Sequence, residues 1–116
     1  MEWISGNVFI RPNKLPEVGN SVEGHTHNFD HTTIVFKGRI NVKAWKANPD
    51  GSKGEFIADR NFGGVDDISR HFLVKADVLH EITALEPNTE FWCVYSHREP
   101  QGDVSVVNTG WMDAYF

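Results

Sequence analysis

Three of the six histidines in the 116-residue chain fall within seven positions, in Gly24-His25-Thr26-His27-Asn28-Phe29-Asp30-His31. Residues two apart on an extended strand share a face, so His25 and His27 present both imidazoles to one point. His31 returns to that face if the intervening chain stays extended or bulges by an even count. Any one of these residues alone reads as a solvated loop histidine. Together they read as a chelate, because neutral imidazole binds zinc, iron, nickel and copper, and three of them make a site without a thiolate.

Other reactive side chains carry less. Cys93 and His97 have a Cys-x3-His spacing, which admits a nucleophile or an extra ligand. The run Phe91-Trp92-Cys93-Val94-Tyr95 is apolar on both strand faces, however, and this favours a buried structural cysteine. His71 and His97 are isolated and read as surface or hydrogen-bonded histidines. Glu23, Asp30 and Glu81 adjoin histidines in sequence. Neighbours on a strand face opposite ways, so these carboxylates are expected at the surface rather than behind a ligand.

The elements that must position these groups are short strands. Runs rich in β-branched and aromatic residues recur at 8–10, 32–36, 40–45, 55–58, 71–74, 81–85, 91–95 and 104–107, and period two fits them better than 3.6. Turn signals separate them: Pro12-Asn13, Gly19-Asn20, Lys37-Gly38, Asn48-Pro49-Asp50-Gly51, Gly63-Gly64, Pro87-Asn88 and Gln101-Gly102-Asp103. One short helical turn is expected within 65–70, with Asp66 or Asp67 near its start. Many short strands in one small domain predict an all-β sandwich or barrel, since closure removes exposed sheet edges. Periodicity alone leaves an immunoglobulin-like sandwich open as the topology.

A net charge of -5 without a cluster of basic residues argues against a nucleic-acid partner. No apolar run approaches the roughly 20 residues of a membrane span. The start, MEWISGNVFIRP, lacks the basic and apolar regions of a signal peptide, and one cysteine cannot form an intrachain disulfide. A cytoplasmic protein without membrane attachment is therefore expected. The aromatic end, with Trp111, Met112, Tyr115 and Phe116, is suited to capping a barrel mouth or packing on a second subunit.

The run Gly19, five residues, His25, one residue, His27, three residues, His31, six residues, Gly38 resembles the first motif of the cupin superfamily. Glutamate is usual where this chain has His31, and four-histidine cupins are a variant of that family. The segment Val74-Lys75-Ala76-Asp77-Val78-Leu79-His80 resembles the second motif, with Lys75 in place of proline, Asp77 in place of glycine and Ala84 where asparagine is usual. Aspartate tolerates a left-handed backbone, so Asp77 can keep the turn that aims His80 inward.

The resemblance implies a single cupin domain over 1–116, a double-stranded β-helix or jelly-roll barrel, and His80 as fourth ligand beside His25, His27 and His31. It also implies a homodimer, which a small barrel with an apolar outer sheet face suits. Four neutral ligands would leave the full divalent charge on the metal and favour an anionic or chelating ligand. Iron or manganese is the expected metal, with nickel, zinc and copper as alternatives. The expected activity is that of a dioxygenase on a small oxygenated or anionic chelating molecule. The alternatives are a Lewis-acid isomerase or lyase of a keto or sugar acid, and a non-catalytic small-molecule-binding cupin.

Overall fold

The computed structural model describes residues 3–5, 8–23, 31–64 and 69–96. Nine strands run through them: β1 Trp3–Ser5, β2 Val8–Leu15, β3 Ser21–Glu23, β4 His31–Lys37, β5 Arg39–Ala47, β6 Lys53–Gly63, β7 His71–Val74, β8 Val78–Ala84 and β9 Thr89–Ser96. They form two antiparallel sheets, one ordered β1-β2-β9-β4-β7 and the other β3-β8-β5-β6. The all-β expectation is met. The strand expected over 104–107, the 65–68 part of the expected helical turn and the aromatic end at 111–116 lie outside the described residues. Among the described residues no helix is long and apolar enough to cross a membrane.

Period two is what turns this sequence into two facing layers. On β4, His31, Thr33 and Val35 are buried, while Ile34 and Phe36 point outward. On β8, His80, Ile82 and Ala84 are buried in the same alternation. Ile40 and Val42 on β5, Phe62 on β6, Leu15 on β2 and Phe91 on β9 complete the core with Val35, Ile82 and Ala84. Burying one such large side chain is worth about 1.5–3 kcal/mol, so these rows, rather than strand propensity, hold the sheets together.

Two turns need unusual backbone. Gly38, between β4 and β5, has φ +81°, and a Cβ there would collide with the Thr89 side chain. Asp77, just before β8, has φ +62°, the left-handed conformation expected of it from sequence.

Several sequence expectations are corrected. The expected turn at Pro12-Asn13 is instead the middle of β2. β1 pairs only with Val8 to Ile10, so by Pro12 the strand is a sheet edge, where a missing N–H is tolerated. β6 spans Lys53–Gly63 rather than 55–58, because its polar stretch is ladder-paired: Asn41 on β5 donates hydrogen bonds to Asp59 (2.6 Å) and Asn61 (2.9 Å). Ser69 and Arg70 are irregular rather than helical.

Candidate functional site

The two buried rows that build the core each end in a histidine. His31 opens β4, the strand between β9 and β7, and is 4% exposed. His80 lies on β8, opposite Ala44 of β5, and is 7% exposed. The two residues come from opposite sheets, and their rings meet across the interior with centroids 5.8 Å apart and planes at 58°. The Tyr95 ring on β9 stands edge-on to His31 at 6.4 Å. The Asp77 carbonyl accepts the Ala47 N–H at 3.1 Å, tying the left-handed turn to β5 just ahead of His80.

Both imidazoles line a cavity of about 260 Å³ between the sheets. Its wall takes Arg11 and Asn13 from β2, Val22 and Glu23 from β3, Ile82 from β8, and Phe91, Cys93 and Tyr95 from β9. Val22, Ile82 and Phe91 are apolar, and Arg11 and Glu23 supply charge of both signs. Asn13 Nδ2 donates to Cys93 Sγ at 3.9 Å. Burial pushes the Cys93 thiol above its usual range, against the smaller opposing effects of Thr33 and the Arg11 charge. At neutral pH this cysteine is therefore a protonated thiol, a poor nucleophile and a poor metal ligand.

Whether these residues suit a divalent metal turns on the donor set. Two buried imidazoles side by side in the wall of a mixed-polarity cavity are the borderline nitrogen donors that transition metals take, and Glu23 is the one described carboxylate in that wall. Among the described residues no group of three or more His, Cys, Asp or Glu is arranged to hold a metal. His25 and His27 lie outside the described residues, in the segment 24–30. The residues on either side of that segment, Glu23 and His31, both line the cavity, so the chain leaves and rejoins the described fold at its wall. The pair His31 and His80 fits half of the expected four-histidine set.

The remaining expectations divide. His71 is exposed at the edge strand β7, paired with Ile34, and does not line this cavity; His97 and Asp30 lie outside the described residues. Glu81 faces away from His80 and pairs with Lys53 at 3.2 Å, as a surface carboxylate does. Glu23 is exposed, as expected of a surface carboxylate, and it also lines the cavity. Cys93 is partly buried and packs against the core as expected, and it also lines the cavity that His31 and His80 line. Sequence reading missed Arg11, Asn13 and Tyr95. The i, i+2 relation of Arg11 and Asn13 was the available signal, and reading Pro12-Asn13 as a turn concealed it.

No family model, curated protein or solved structure matches this chain.

Proposed function

We propose that the chain is a small metal-binding cupin of the jelly-roll type, with His25, His27, His31 and His80 holding one divalent transition metal, and that it is a dioxygenase acting on a small anionic molecule that chelates the metal. The observation that carries this reading is the pair of buried imidazoles, His31 and His80, brought within 5.8 Å of each other from opposite sheets at the end of the core. Three backbone features support it. Gly19 and Gly38, which bracket the first motif, both have positive φ, and Asp77 holds the left-handed turn that the second motif needs.

A bound iron or manganese would supply positions for a chelating substrate and for dioxygen. The chain's own residues would do the rest. Arg11 at the cavity wall attracts and orients the anion by charge-assisted hydrogen bonding. Val22, Ile82 and Phe91 give the cavity apolar wall, and the lower local dielectric beside them would strengthen those interactions. Cys93, held protonated, stays out of the chemistry. Glu23 favours a second reading, a Lewis-acid isomerase or lyase, because a carboxylate on the cavity rim can move a proton to or from a bound keto acid.

Elemental analysis tests the site. Protein purified without added metal is expected to carry about one equivalent of one transition metal, and His25→Ala, His31→Ala and His80→Ala are each expected to lose most of it. Undiminished metal in folded His31→Ala and His80→Ala would sink the proposal. Oxygen uptake with diketones, keto acids and catechols separates the two readings, since turnover under nitrogen supports the Lewis-acid one.

A further inference from the structure

A second hollow, of about 330 Å³, opens between β5, β6, β7 and β8. Its wall and that of the histidine cavity share one described residue, His80. The two hollows differ in chemistry. The second is lined mainly by apolar side chains, among them Val42, Phe62, Phe72 and Val74, with the Phe62 and Phe72 rings stacked at 4.4 Å. Among the described residues of its wall, Arg60 and Lys75 are the charged ones, and no carboxylate is among them. The Arg60 guanidinium lies 5.2 Å from the centroid of the Phe62 ring, over the aromatic floor. Neither cation has an ion pair among the described residues.

We infer that this hollow binds an amphipathic monoanion, a small carboxylate with an aromatic or branched aliphatic body. The apolar wall takes the body, and Arg60 and Lys75 take the carboxylate. An apolar recess whose described wall carries two cations and no acid has a positive local potential that a neutral hydrocarbon would not use. A volume near the lower end of the range for small-molecule sites, roughly 300–1,000 Å³, limits the body to about one ring. A strongly hydrated dianion such as phosphate would gain nothing from the Phe62 and Phe72 surface. The inference is independent of metal at His31 and His80, although an occupant here would touch His80 and so border the proposed metal site.

The test is calorimetric titration of the full chain, stripped of metal with EDTA, using 3-phenylpropionate as the probe and 3-phenylpropanol and acetate as controls. The acid is expected to bind with a Kd of about 1 mM or tighter, as a ligand of this size can. The alcohol should bind about tenfold more weakly, for want of charge-assisted contacts. Acetate, which lacks the body, should not saturate. Arg60→Gln combined with Lys75→Gln should weaken the acid about tenfold and leave the alcohol unchanged. Ala44→Leu, which fills the hollow, should weaken both, and Arg11→Gln, the cation on the wall of the histidine cavity, should leave acid binding within about twofold, since Arg11 is not in this wall. Absence of saturable binding, or equal binding of acid and alcohol, overturns the inference. So does acid binding that Arg11→Gln abolishes and the Arg60 and Lys75 changes spare, because the anion would then occupy the histidine cavity. Loss of metal in the elemental assay bears on the proposed function alone.

Discussion

Replacing His80 by leucine separates what this residue does for packing from what it does for a ligand. The side chain is 7% exposed, in a row with Ile82 and Ala84, so leucine keeps an apolar group of similar size in the same place. Volume-conserving swaps of this kind change stability by less than about 1.5 kcal/mol. Metal linkage is larger. A metal present at a hundred times its Kd stabilises the folded chain by about 2.7 kcal/mol, and a hundredfold loss of affinity cuts that to about 0.4 kcal/mol. An unfolding entropy of about 2.1 cal/mol/K per residue gives roughly 0.24 kcal/mol/K for a chain of this length. Wild type should therefore gain about 11 °C in Tm on adding metal, and His80→Leu about 2 °C. The assay is thermal unfolding of EDTA-stripped protein with and without manganese, iron(II), nickel, copper or zinc. The quantity compared is the metal-induced shift, in which the packing change cancels. His71→Leu, at an exposed position on β7, is the control and should keep the full shift. If His80→Leu retains the wild-type shift for the metal that stabilises wild type most, or if none of the five stabilises wild type, the metal reasoning fails.

Gly38→Ala should destabilise by about 2–4 kcal/mol, combining a left-handed backbone cost with overpacking against Thr89, whereas Gly19→Ala, with similar φ but open space around it, should cost only about 1–2 kcal/mol. Urea midpoints at equal m-values check the order, and equal losses would show that Thr89 yields without cost. The Cys93 thiol should react with iodoacetamide at pH 8 much more slowly in the folded protein than in urea, because burial raises its pKa. Its contribution to stability is fully present below the unfolded thiol's pKa, about 8.5, and should be lost as pH rises toward the higher folded value. Stability that increases with pH across that window in Cys93-containing protein, relative to Cys93→Ala, would reverse the sign.

The legible parts of this fold were those in which alternation and burial coincide. β4, β5, β8 and β9 carry rows such as Thr33-Val35 and Ile40-Val42 that declare their inner face, and each was placed within a few residues. β1 and β3 have three residues each, too few for a period to show. β6 was shortened because Asp59, Arg60 and Asn61 look like a loop, while their real partners lie on β5 and in the second hollow. Within the site, the density of histidines marked His31, but only likeness to a family motif reached His80, since no local spacing links β4 to β8. Arg11 and Glu23 were less legible still. Each is an ordinary charged residue until sheet pairing turns the β2 and β3 faces toward the same cavity.

The site and the core are consecutive stretches of the same two rows, and this has a consequence for how the protein can vary. Moving inward along β4 from His31 leads to Thr33 and Val35, and along β8 from His80 to Ile82 and Ala84. Because the side-chain period of a strand is two, a one-residue slip of either strand would expose its histidine and its core residues together. Val35, Ile82 and Phe91 are 1% exposed, so any such slip forfeits several kcal/mol of burial. The core thus fixes the register that makes the imidazoles meet, and Gly38 and Asp77 fix the turns that leave β4 and enter β8. Changes at the rim, in Arg11 or Glu23, carry no such penalty. The charge of the cavity rim can change there while the histidine pair stays where the packing puts it.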